Sequence, residues 1–397
     1  MVKKERSRFG FKTASQKMLP SFYQNHLQNY FSKSEFLTIQ ILVWLLQFHK
    51  QVRIERLAAC LPIPVLFESR RRCLQRFLVL KKFSITLLWF PIIESIITKQ
   101  IKTGSRLIIA IDRTQWKANN ILMVSVIWHK RAMPIYWQLL NKQGSSNLAE
   151  QIAVLRPVLK LFKKYELVII GDREFRGVEL AYWLKHKKAY FVFRQKQQTY
   201  IKQRGKNYQQ LKNLNLLPGN KIFFSGINLT KKKGFGYFSL AAYWKRKYKS
   251  SQVKQGWYLI TNLNCLEDAL KVYQARSGIE AMFKDCKTGG YNLENSKANQ
   301  QRLNSLLLLI AIAYTAACLK GKSIKRQAMQ KYISRLKDSK KISQRHSNFW
   351  VGLYGYSWCA AMEECQIWVA ELMQINSNKL PFFAKGLRAM TLIQSAL

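Results

Sequence analysis

Three acidic residues stand where their carboxylates could meet. Two continuous apolar segments, RLIIAID and ELVIIGD, close on Asp112 and Asp172. Such runs predict strands buried on both faces of a sheet, and each aspartate should leave its strand at the carboxyl end, where open α/β sheets place their chemistry. The third acid, Glu280, falls on a predicted helix. The sequence therefore indicates a site built from two strands and a helix.

The predicted helix carries other polar groups on the face of Glu280. Tyr273, Arg276, Glu280 and Lys287 lie at offsets of 0, 3, 7 and 14, which places them within an arc of roughly 60° on one continuous helix. A phenol, a guanidinium and an ammonium can bind phosphate beside carboxylates that bind a cation. A surface ladder with an Arg276–Glu280 ion pair has the same spacing, but it leaves the two strand-ending aspartates unexplained.

Metal-dependent phosphodiester cleavage is the chemistry that suits these groups. Two hard cations can activate the nucleophile, stabilise the leaving oxygen and neutralise the phosphate. Mg²⁺, for which Mn²⁺ can substitute, prefers oxygen ligands and keeps several waters, so three carboxylates suffice. We therefore expect Asp112, Asp172 and Glu280 to be metal ligands. Glu174, two residues past Asp172, is a rival that the loop should point elsewhere.

The charge of the chain indicates a polyanionic partner. Its 397 residues include 67 Lys or Arg and only 20 Asp or Glu, a formal net charge of +47. A field of this strength is useful mainly to a protein that meets polyanions, so we expect double-stranded DNA, with acidic lipid as the alternative. The one long apolar run, 305–319, is shorter than a bilayer span and predicts a buried helix, so we expect no membrane segment.

Cysteine spacing and the N-terminal sequence favour the cytoplasm. Seven cysteines form no CxxC pair and the five histidines are scattered, so a zinc site is not predicted. The opening sequence, MVKKERSRFGFK, has no apolar core behind its charges, and no secretory signal is predicted. We expect a cytoplasmic protein with reduced thiols that joins the nucleoid when it binds DNA.

Changes of pattern divide the chain into five segments. They are a helical DNA-binding region (1–100), a first part of the catalytic core with both aspartates (101–194), a β-rich insertion (195–262), a second part of the core with the Glu280 helix (263–321) and a helical C-terminal region (322–397). The order β-β-β-α-β-α-β in the first part of the core predicts an α/β fold with a ribonuclease H-like mixed sheet.

Arginines cluster on one predicted helix of the N-terminal region. Arg70, Arg71 and Arg72 lie in FESRRRCLQRF, after a turn that contains two prolines. A small helical bundle with such a helix could bind DNA, and a helix-turn-helix is one form it could take. Packing of the basic helix as a lid on the next domain is the alternative. Upstream, Ser32 and Glu35 predict a capping box before FLTIQILVWLLQF.

The motifs together resemble a known family. The spacing Tyr273-x2-Arg276-x3-Glu280-x6-Lys287 matches the YREK signature of bacterial insertion-sequence transposases of the DDE class, and AIDRT and IIGDREF resemble its two aspartate motifs. The resemblance covers roughly residues 105–320. It implies a ribonuclease H-like core with a β-rich insertion, a divalent metal, and cut-and-paste transposition by a homodimer that bridges the terminal inverted repeats before joining them to target DNA.

The same resemblance implies roles for single residues. It makes Asp112, Asp172 and Glu280 the metal triad, and it makes the Tyr, Arg and Lys of the signature the groups that hold the phosphates of the cut end. A hairpin at that end is the economical route to the second-strand cut, because one triad must then act on both strands.

One departure from the family affects base stacking. Family members often carry Trp directly after the signature Arg, where this chain has Ser277. A further family Trp, within the insertion, stacks on a flipped base. Trp244 and Trp257 are the candidates here, and we favour Trp257 because it lies on the better predicted strand and closer to the signature.

Two other functions remain open at this stage. One is an inactive relative that binds the ends and represses transposition, although the presence of all three acids argues against it. The other is a structure-selective nuclease on the same fold, which would have less need of the Tyr-Arg-Lys stripe to hold a processed end.

Overall fold

The chain divides into a helical unit, Met1–Leu88 with Asp285–Leu397, and a sheet unit, Trp89–Lys284. The structure is a computed structural model that describes residues 19–246, 255–336 and 345–395. The opening sequence, on which the prediction of no secretory signal rests, lies outside the described residues, as do positions 337–344 of the predicted helical C-terminal region. The division into five segments stays a prediction.

Helices make up most of the helical unit and flank the strands of the sheet unit. The helices are α1 (Ser21–Tyr30), α2 (Lys33–His49), α3 (Ile54–Cys60), α4 (Phe67–Phe77), α5 (Phe90–Gln100), α6 (Leu148–Leu161), α7 (Val178–His186), α8 (Leu266–Gln274), α9 (Ser277–Cys286), α10 (Gln300–Arg326), α11 (Asn348–Glu364), α12 (Gln366–Ile375) and α13 (Leu380–Gln394).

Among the described residues, ten strands form the mixed sheet of the sheet unit. The strands are β1 (Arg106–Trp116), β2 (Asn119–Trp128), β3 (Arg131–Leu139), β4 (Glu166–Gly171), β5 (Tyr190–Arg194), β6 (Tyr200–Lys202), β7 (Gln209–Gln210), β8 (Lys221–Leu229), β9 (Phe235–Tyr243) and β10 (Trp257–Thr261). Their spatial order is β3-β2-β1-β4-β5-β10-β9-β8-β6-β7.

The first five strands form the ribonuclease H-like core that the sequence predicts. β1, β2 and β3 make an antiparallel meander, and β4 and β5 extend it in parallel from β1. Parallel neighbours need crossover connections, which α6 and α7 supply. The apolar residues of β1 and β4 are almost fully buried, as continuous Ile, Leu and Val runs require. The predicted element order and the α/β fold class are confirmed.

The prediction that β1 ends at Asp112 is wrong, because the strand continues to Trp116. Its parallel ladder with β4 stops at Ile111↔Gly171. Its antiparallel ladder with β2 continues beyond that level to Trp116↔Asn119. β2 therefore supplies the hydrogen bonds of residues 112–116, and β1 extends beyond its apolar run.

The β-rich insertion continues the same sheet. β10 pairs antiparallel with β5, where Leu259 faces Arg194, and antiparallel with β9 on its other side. β8, β6 and β7 then carry the sheet to its edge. The strands predicted in IFFSGINLT, YFSLAAYWKR and GWYLITNL are confirmed as β8, β9 and β10, whereas the short β6 and β7 had no strong pattern. The insertion thus departs from β5 and returns on its neighbour.

α10 is the central helix of the helical unit. The hydroxyl groups of Tyr23 and Thr315 lie 2.6 Å apart, and Gln47 Nε2 donates to the Ala313 carbonyl at 2.6 Å. These bonds satisfy polar groups inside an apolar core. At 27 residues α10 is longer than the predicted run, and its length and composition would suit a membrane span, but 94% of its most apolar window is buried within the protein. The prediction of a buried helix is confirmed.

Glycines allow α10 and α11 to pack backbone against backbone. A Cβ at Gly321 would overlap the carbonyl of Asn348, and one at Gly352 would overlap the carbonyl of Ala317. Atoms this close to rigid backbone cannot be relieved by a change of rotamer. The helix pair therefore requires glycine at both positions.

We expect Gly321→Ala or Gly352→Ala to lower the free energy of unfolding by about 2–3 kcal/mol, because the added methyl group pushes two helix backbones apart. Gly386→Ala is the matched control, since a Cβ at that helical position meets nothing within 4 Å, and it should be neutral or slightly stabilising. Urea denaturation of the three variants measures the difference. Equal midpoints would contradict the packing described.

Candidate active site

Asp112 and Asp172 directly follow the last residue pair of the parallel ladder between β1 and β4. Ile111 of β1 lies beside Gly171 of β4, so the residue after each stands at the same level of the sheet. The Asp112 side chain is 14% exposed and accepts a hydrogen bond from the Arg113 backbone N–H at 2.8 Å. The predicted juxtaposition of the two strand-ending acids thus has its basis in the strand register.

A tight turn fixes the direction of Asp172. Its Oδ1 accepts from the Glu174 backbone N–H at 2.8 Å and caps a single 3₁₀ turn, Arg173–Phe175. Phe175 is fully buried, and a Cβ at Gly171 would lie only 2.8 Å from the Phe175 Cβ. Glycine at the end of β4 is therefore needed for the buried ring to anchor the turn that presents Asp172.

The carboxylate of Glu174 is fully engaged within the protein. Its Oε1 accepts from the backbone N–H and hydroxyl of Ser146 at 2.8 and 2.7 Å. Its Oε2 lies 2.9 Å from Arg113 Nε. With three donors on two oxygens and a side chain only 12% exposed, Glu174 serves to tie β1 to the loop before α6. The loop turns it away from the neighbouring aspartates, as expected.

The polar stripe is not carried by one helix, and that prediction is wrong. α8 ends at Gln274 and α9 begins at Ser277. Between them the N–H groups of Arg276, Gly278 and Ile279 bond to carbonyls three residues earlier, in a tighter turn. Lys287 lies beyond α9 in the helical unit.

The break has a packing cause. α8 lies against β9 and β5, whereas α9 packs on β2, where the Ser125 hydroxyl meets Met282 sulfur at 3.7 Å. A Cβ at Gly278 would come within 3.1 Å of the Arg131 backbone. One straight helix cannot bury a face against both groups of strands, so the chain bends at its weakest helix formers, Ser277 and Gly278.

Arg276, at the bend, binds two of the three acids. Its NH1 lies 3.4 Å from Asp112 Oδ2, and its NH2 lies 2.5 Å from Glu280 Oε1. Burial lowers the pKa of Arg276, but the Tyr273 oxygen, Glu280 and Asp112 raise it further than burial lowers it. The guanidinium therefore stays charged and compensates the carboxylates.

The pKa of Asp112 is affected by the charges of the other two acids. Burial raises the pKa of Asp112 to about 7. The Arg113 N–H and the charge of Arg276 oppose the rise, and the charges of Asp172 and Glu280 add to it. The ionised carboxylate is thus disfavoured unless positive charge is close.

These residues fit a hard divalent cation. Within the described ranges, no three His, Cys, Asp or Glu side chains have the spacing of a preformed metal cluster; a guanidinium joins two of the acids instead. Two aspartates and a glutamate nevertheless offer the oxygen donors that such ions prefer. The positive charge of the guanidinium stabilises the ionised carboxylates of Asp112 and Glu280, and the charge of a metal ion can stabilise them in the same way.

Tyr273 is buried beside the arginine and under an indole. The Trp257 and Tyr273 rings meet edge to face, with 5.0 Å between centroids and 75° between planes. Burial raises the pKa of the Tyr273 phenol, while Arg276 and Arg194 oppose that rise. The favoured tryptophan therefore lies against the first residue of the stripe. Trp244 follows β9, where its carbonyl accepts from the Gly219 N–H at 2.6 Å.

Sequence analysis did not identify two arginines of this site, Arg194 and Arg173. Burial lowers the pKa of Arg194, the charges of Arg173 and Arg276 lower it further, and the Tyr273 oxygen raises it. Among the described residues no carboxylate pairs with Arg194, although the neighbouring Arg276 is paired with Asp112 and Glu280. A signal was available, because YFVFR is the next parallel strand after ELVIIGD and ends on Arg194 at the same sheet edge.

Comparison with known proteins identifies the family of the chain. The family model described as the transposase DDE domain matches residues 103–316, more than half of the chain. The protein belongs to this family. Its members cut and join DNA with divalent metal ions. No curated protein matches. A solved structure, the piggyBac transposase synaptic complex with hairpin DNA, is similar with a TM-score of 0.42 and 14% identity, over 87% of this chain and 78% of that chain.

The remaining predicted site residues of the transposase lie in the helical unit. Lys287 pairs with Glu294 at 2.7 Å. Arg70 NH1 donates to the Leu61 carbonyl at 3.3 Å, and Arg71 pairs with glutamates 68 and 55 at 3.4 and 4.0 Å. Arg72 is exposed. The three consecutive arginines therefore have different surroundings.

Asp112→Asn should stabilise the metal-free transposase at alkaline pH. The pKa of Asp112, about 7 when folded against an ordinary 3.8, means that the folded state binds the proton more tightly, so stability falls as the pH rises from 4 through 7. The amide removes that cost, which is roughly a few kcal/mol at pH 8. We expect a higher melting temperature than wild type in EDTA at pH 8, with a difference that shrinks toward pH 4. A lower melting temperature at pH 8 would contradict this electrostatic account.

Proposed function

We propose that this transposase excises its own insertion sequence and joins it to target DNA, with Asp112, Asp172 and Glu280 as ligands of Mg²⁺ or Mn²⁺. One observation carries the proposal: the strand register sets two aspartates side by side, and the guanidinium of Arg276, from the bend before the Glu280 helix, already compensates one of them together with Glu280. The family match supplies the class of reaction.

The protein groups would act by binding and orienting the phosphodiester. Divalent cations, when bound, supply an activated nucleophile and a stabilised leaving oxygen. Their charge on the carboxylates would replace that of Arg276, so its guanidinium becomes available to a DNA phosphate. The Tyr273 hydroxyl can donate to the same strand, Arg194 and Arg173 add positive charge beside it, and the signature resemblance adds Lys287 as a further phosphate ligand.

Trp257 would support the end of the DNA strand. Its ring packs on the buried Tyr273 while part of the indole stays accessible, so the indole has a rigid backing for stacking on an unpaired base. The arrangement would suit a DNA end in which a base has left the helical stack.

Replacing any member of the triad should separate binding from chemistry. Asp112→Ala, Asp172→Ala and Glu280→Ala should each reduce cleavage by at least 10³-fold, because removal of a cation ligand removes most of the transition-state stabilisation. Binding to DNA that carries the terminal inverted repeats should change little. Gel assays with Mg²⁺, and separately with Mn²⁺, measure both. Ca²⁺ should support binding without cleavage.

Glu174→Gln is the matched control for the triad. It neutralises an acid two residues from Asp172 but keeps an acceptor for the Ser146 donors, so most cleavage should persist. If it were as inactive as Asp172→Ala, or if a triad variant kept wild-type cleavage, the assignment of ligands would fall.

The two alternative functions differ in the products of the same assay. An end-binding repressor would bind the repeats and leave them uncut. A structure-selective nuclease would cut branched DNA without joining the ends to a target. The three acids favour an enzyme over the repressor, and the phosphate-binding groups at Arg276 and Tyr273 favour a transposase over the nuclease.

The second strand would be cut through a hairpin. After the first nick, the free 3′-hydroxyl attacks the opposite strand, and water later opens the hairpin, so a single triad serves both strands. The bent end crowds phosphates and unstacks a base. Arg276, Tyr273 and Trp257 together offer the charge, hydrogen bond and stacking surface that such an end needs.

Arg276→Ala should therefore nick end-labelled DNA at near the normal rate but accumulate at least tenfold less hairpin. The reason is that the guanidinium would neutralise phosphates that crowd only after the nick. Denaturing gels show a hairpin as a strand of about twice the expected length. Double-strand breaks by the wild-type protein with no such species at any time point would exclude the hairpin route.

Assembly and location complete the proposal. We propose a homodimer that bridges two transposon ends, acting in the cytoplasm on nucleoid DNA, with residues 1–100 as the end-recognition region. Light scattering of the protein with and without terminal-repeat DNA tests the stoichiometry.

A further inference from the structure

A basic pocket lies in the helical unit, between one face of α4 and the first turn of α10. It is lined by Ser69, Arg72, Gln75, Arg76, Val79 and Arg302. Apart from Val79, every lining side chain can donate a hydrogen bond, three of them are guanidinia, and there is no acid. Such a lining suits an anion.

The pocket face of α4 follows from its helical period. Positions 69, 72 and 76 of α4 recur every three or four residues and so form one stripe, and Val79 follows just after the helix ends. The opposite face carries Leu74 and Phe77, which are buried. Burial of that apolar face obliges the helix to present its arginine stripe outward.

Hydrogen bonds hold the start of α10 against the end of α4. The Ser305 hydroxyl donates to the Leu78 carbonyl at 2.7 Å, and Gln301 Nε2 donates to the Val79 carbonyl at 3.4 Å. Asn299 caps α10 by accepting from the Arg302 N–H at 3.0 Å. Arg302 thus stands in the first turn of a long helix, where the helix dipole also favours an anion.

Among the described residues, no carboxylate pairs with the three arginines of the pocket, in contrast to Arg71. The side chains of Arg72 and Arg76 are exposed and make no ion pair or hydrogen bond to other described residues. The Nε of Arg302 is buried, and the part of the chain that the structure describes gives it no acceptor. A buried guanidinium donor without a partner is costly, and a bound anion would remove the cost. Arg71, by comparison, is paired with two glutamates. Arg70 donates through NH1 to the Leu61 carbonyl, while its Nε, like that of Arg302, has no acceptor among the described residues.

We propose that this pocket binds phosphate groups of the DNA backbone, through Arg72, Arg76 and Arg302. Arg72 and Arg76 are four residues apart, roughly 6 Å along the helix axis, so they can reach successive phosphates of one strand rather than enclose a single small ion. Contacts of this kind position DNA without reading its sequence. The inference rests on the proposed function, and it moves the N-terminal DNA contact from three consecutive arginines to a two-helix pocket.

Salt-dependent binding of the full-length protein tests the pocket. Arg72→Ala, Arg76→Ala and Arg302→Ala should each weaken binding about tenfold at low salt and reduce the slope of log K against log salt by about 0.9. The loss should be the same for a duplex with the terminal repeat and a scrambled duplex of equal length. Arg302→Lys should recover part of the affinity. Fluorescence anisotropy measures all of these.

Arg388→Ala is the matched control, because it removes one exposed arginine from α13, also in the helical unit. Thermal unfolding shows whether each variant is folded. If Arg388→Ala lowered affinity and slope as much as Arg72→Ala in folded protein, only net charge would matter and the pocket would be refuted. Unchanged slopes in the three pocket variants would refute it equally.

Inorganic phosphate distinguishes a small-anion site from a backbone site. Calorimetry should detect no saturable binding of phosphate at millimolar concentration. Saturable phosphate binding that Arg302→Ala abolishes, with duplex affinity unchanged, would overturn the assignment to DNA. Cleavage by the wild-type protein is scored in parallel: its absence bears on the proposed function, whereas the salt slopes bear on the pocket alone.

Discussion

Compensation of buried negative charge is the constraint on which the candidate active site depends. Asp112 lies largely out of water, and two further acids raise the free energy of its ionised form. Arg276 compensates this negative charge, because its guanidinium contacts Asp112 and Glu280 from the bend between α8 and α9. Binding of cations would release that arginine for DNA. Metal binding and phosphate binding would then be coupled through one side chain.

The bend itself is a product of packing on two different parts of the sheet. α8 packs against β5 and β9, and α9 packs against β2. Had the chain continued as one helix, the guanidinium would have stayed on a stripe with Glu280 without being directed at Asp112. Gly278, which lets α9 approach the Arg131 backbone, therefore contributes to the electrostatics of the site although it carries no side chain.

Sequence alone predicted the elements whose signals are local or periodic. The two apolar runs identified β1 and β4, and their aspartates lie side by side because parallel strands in register bring equivalent ends together. The helix break could not be predicted, because its cause is contact with strands far away in the sequence. Arg194 ends the next predicted strand, but its importance becomes apparent only when β5 pairs with β4 and brings it to the level of Asp172.

The sequence also could not distinguish the roles of the three consecutive arginines of α4, Arg70, Arg71 and Arg72. Nothing in their local sequence assigns them different surroundings. In the fold, one bonds to a carbonyl of the preceding loop, one is held by glutamates and one faces outward. The outward one is joined by Arg302, more than 200 residues later in the chain, which no pattern within the N-terminal region could have indicated.

The path of the insertion has a consequence for how this fold can vary. Its two ends are hydrogen-bonded neighbours, with Leu259 of β10 opposite Arg194 of β5, so the intervening chain is a side branch whose closure cost rises only slowly with its length. Additions or deletions at the outer edge, near the two-residue strand β7, need not alter the strand that carries Trp257. The branch can evolve as an independent module, taking up new contacts at its tip while its base keeps one indole fixed beside Tyr273.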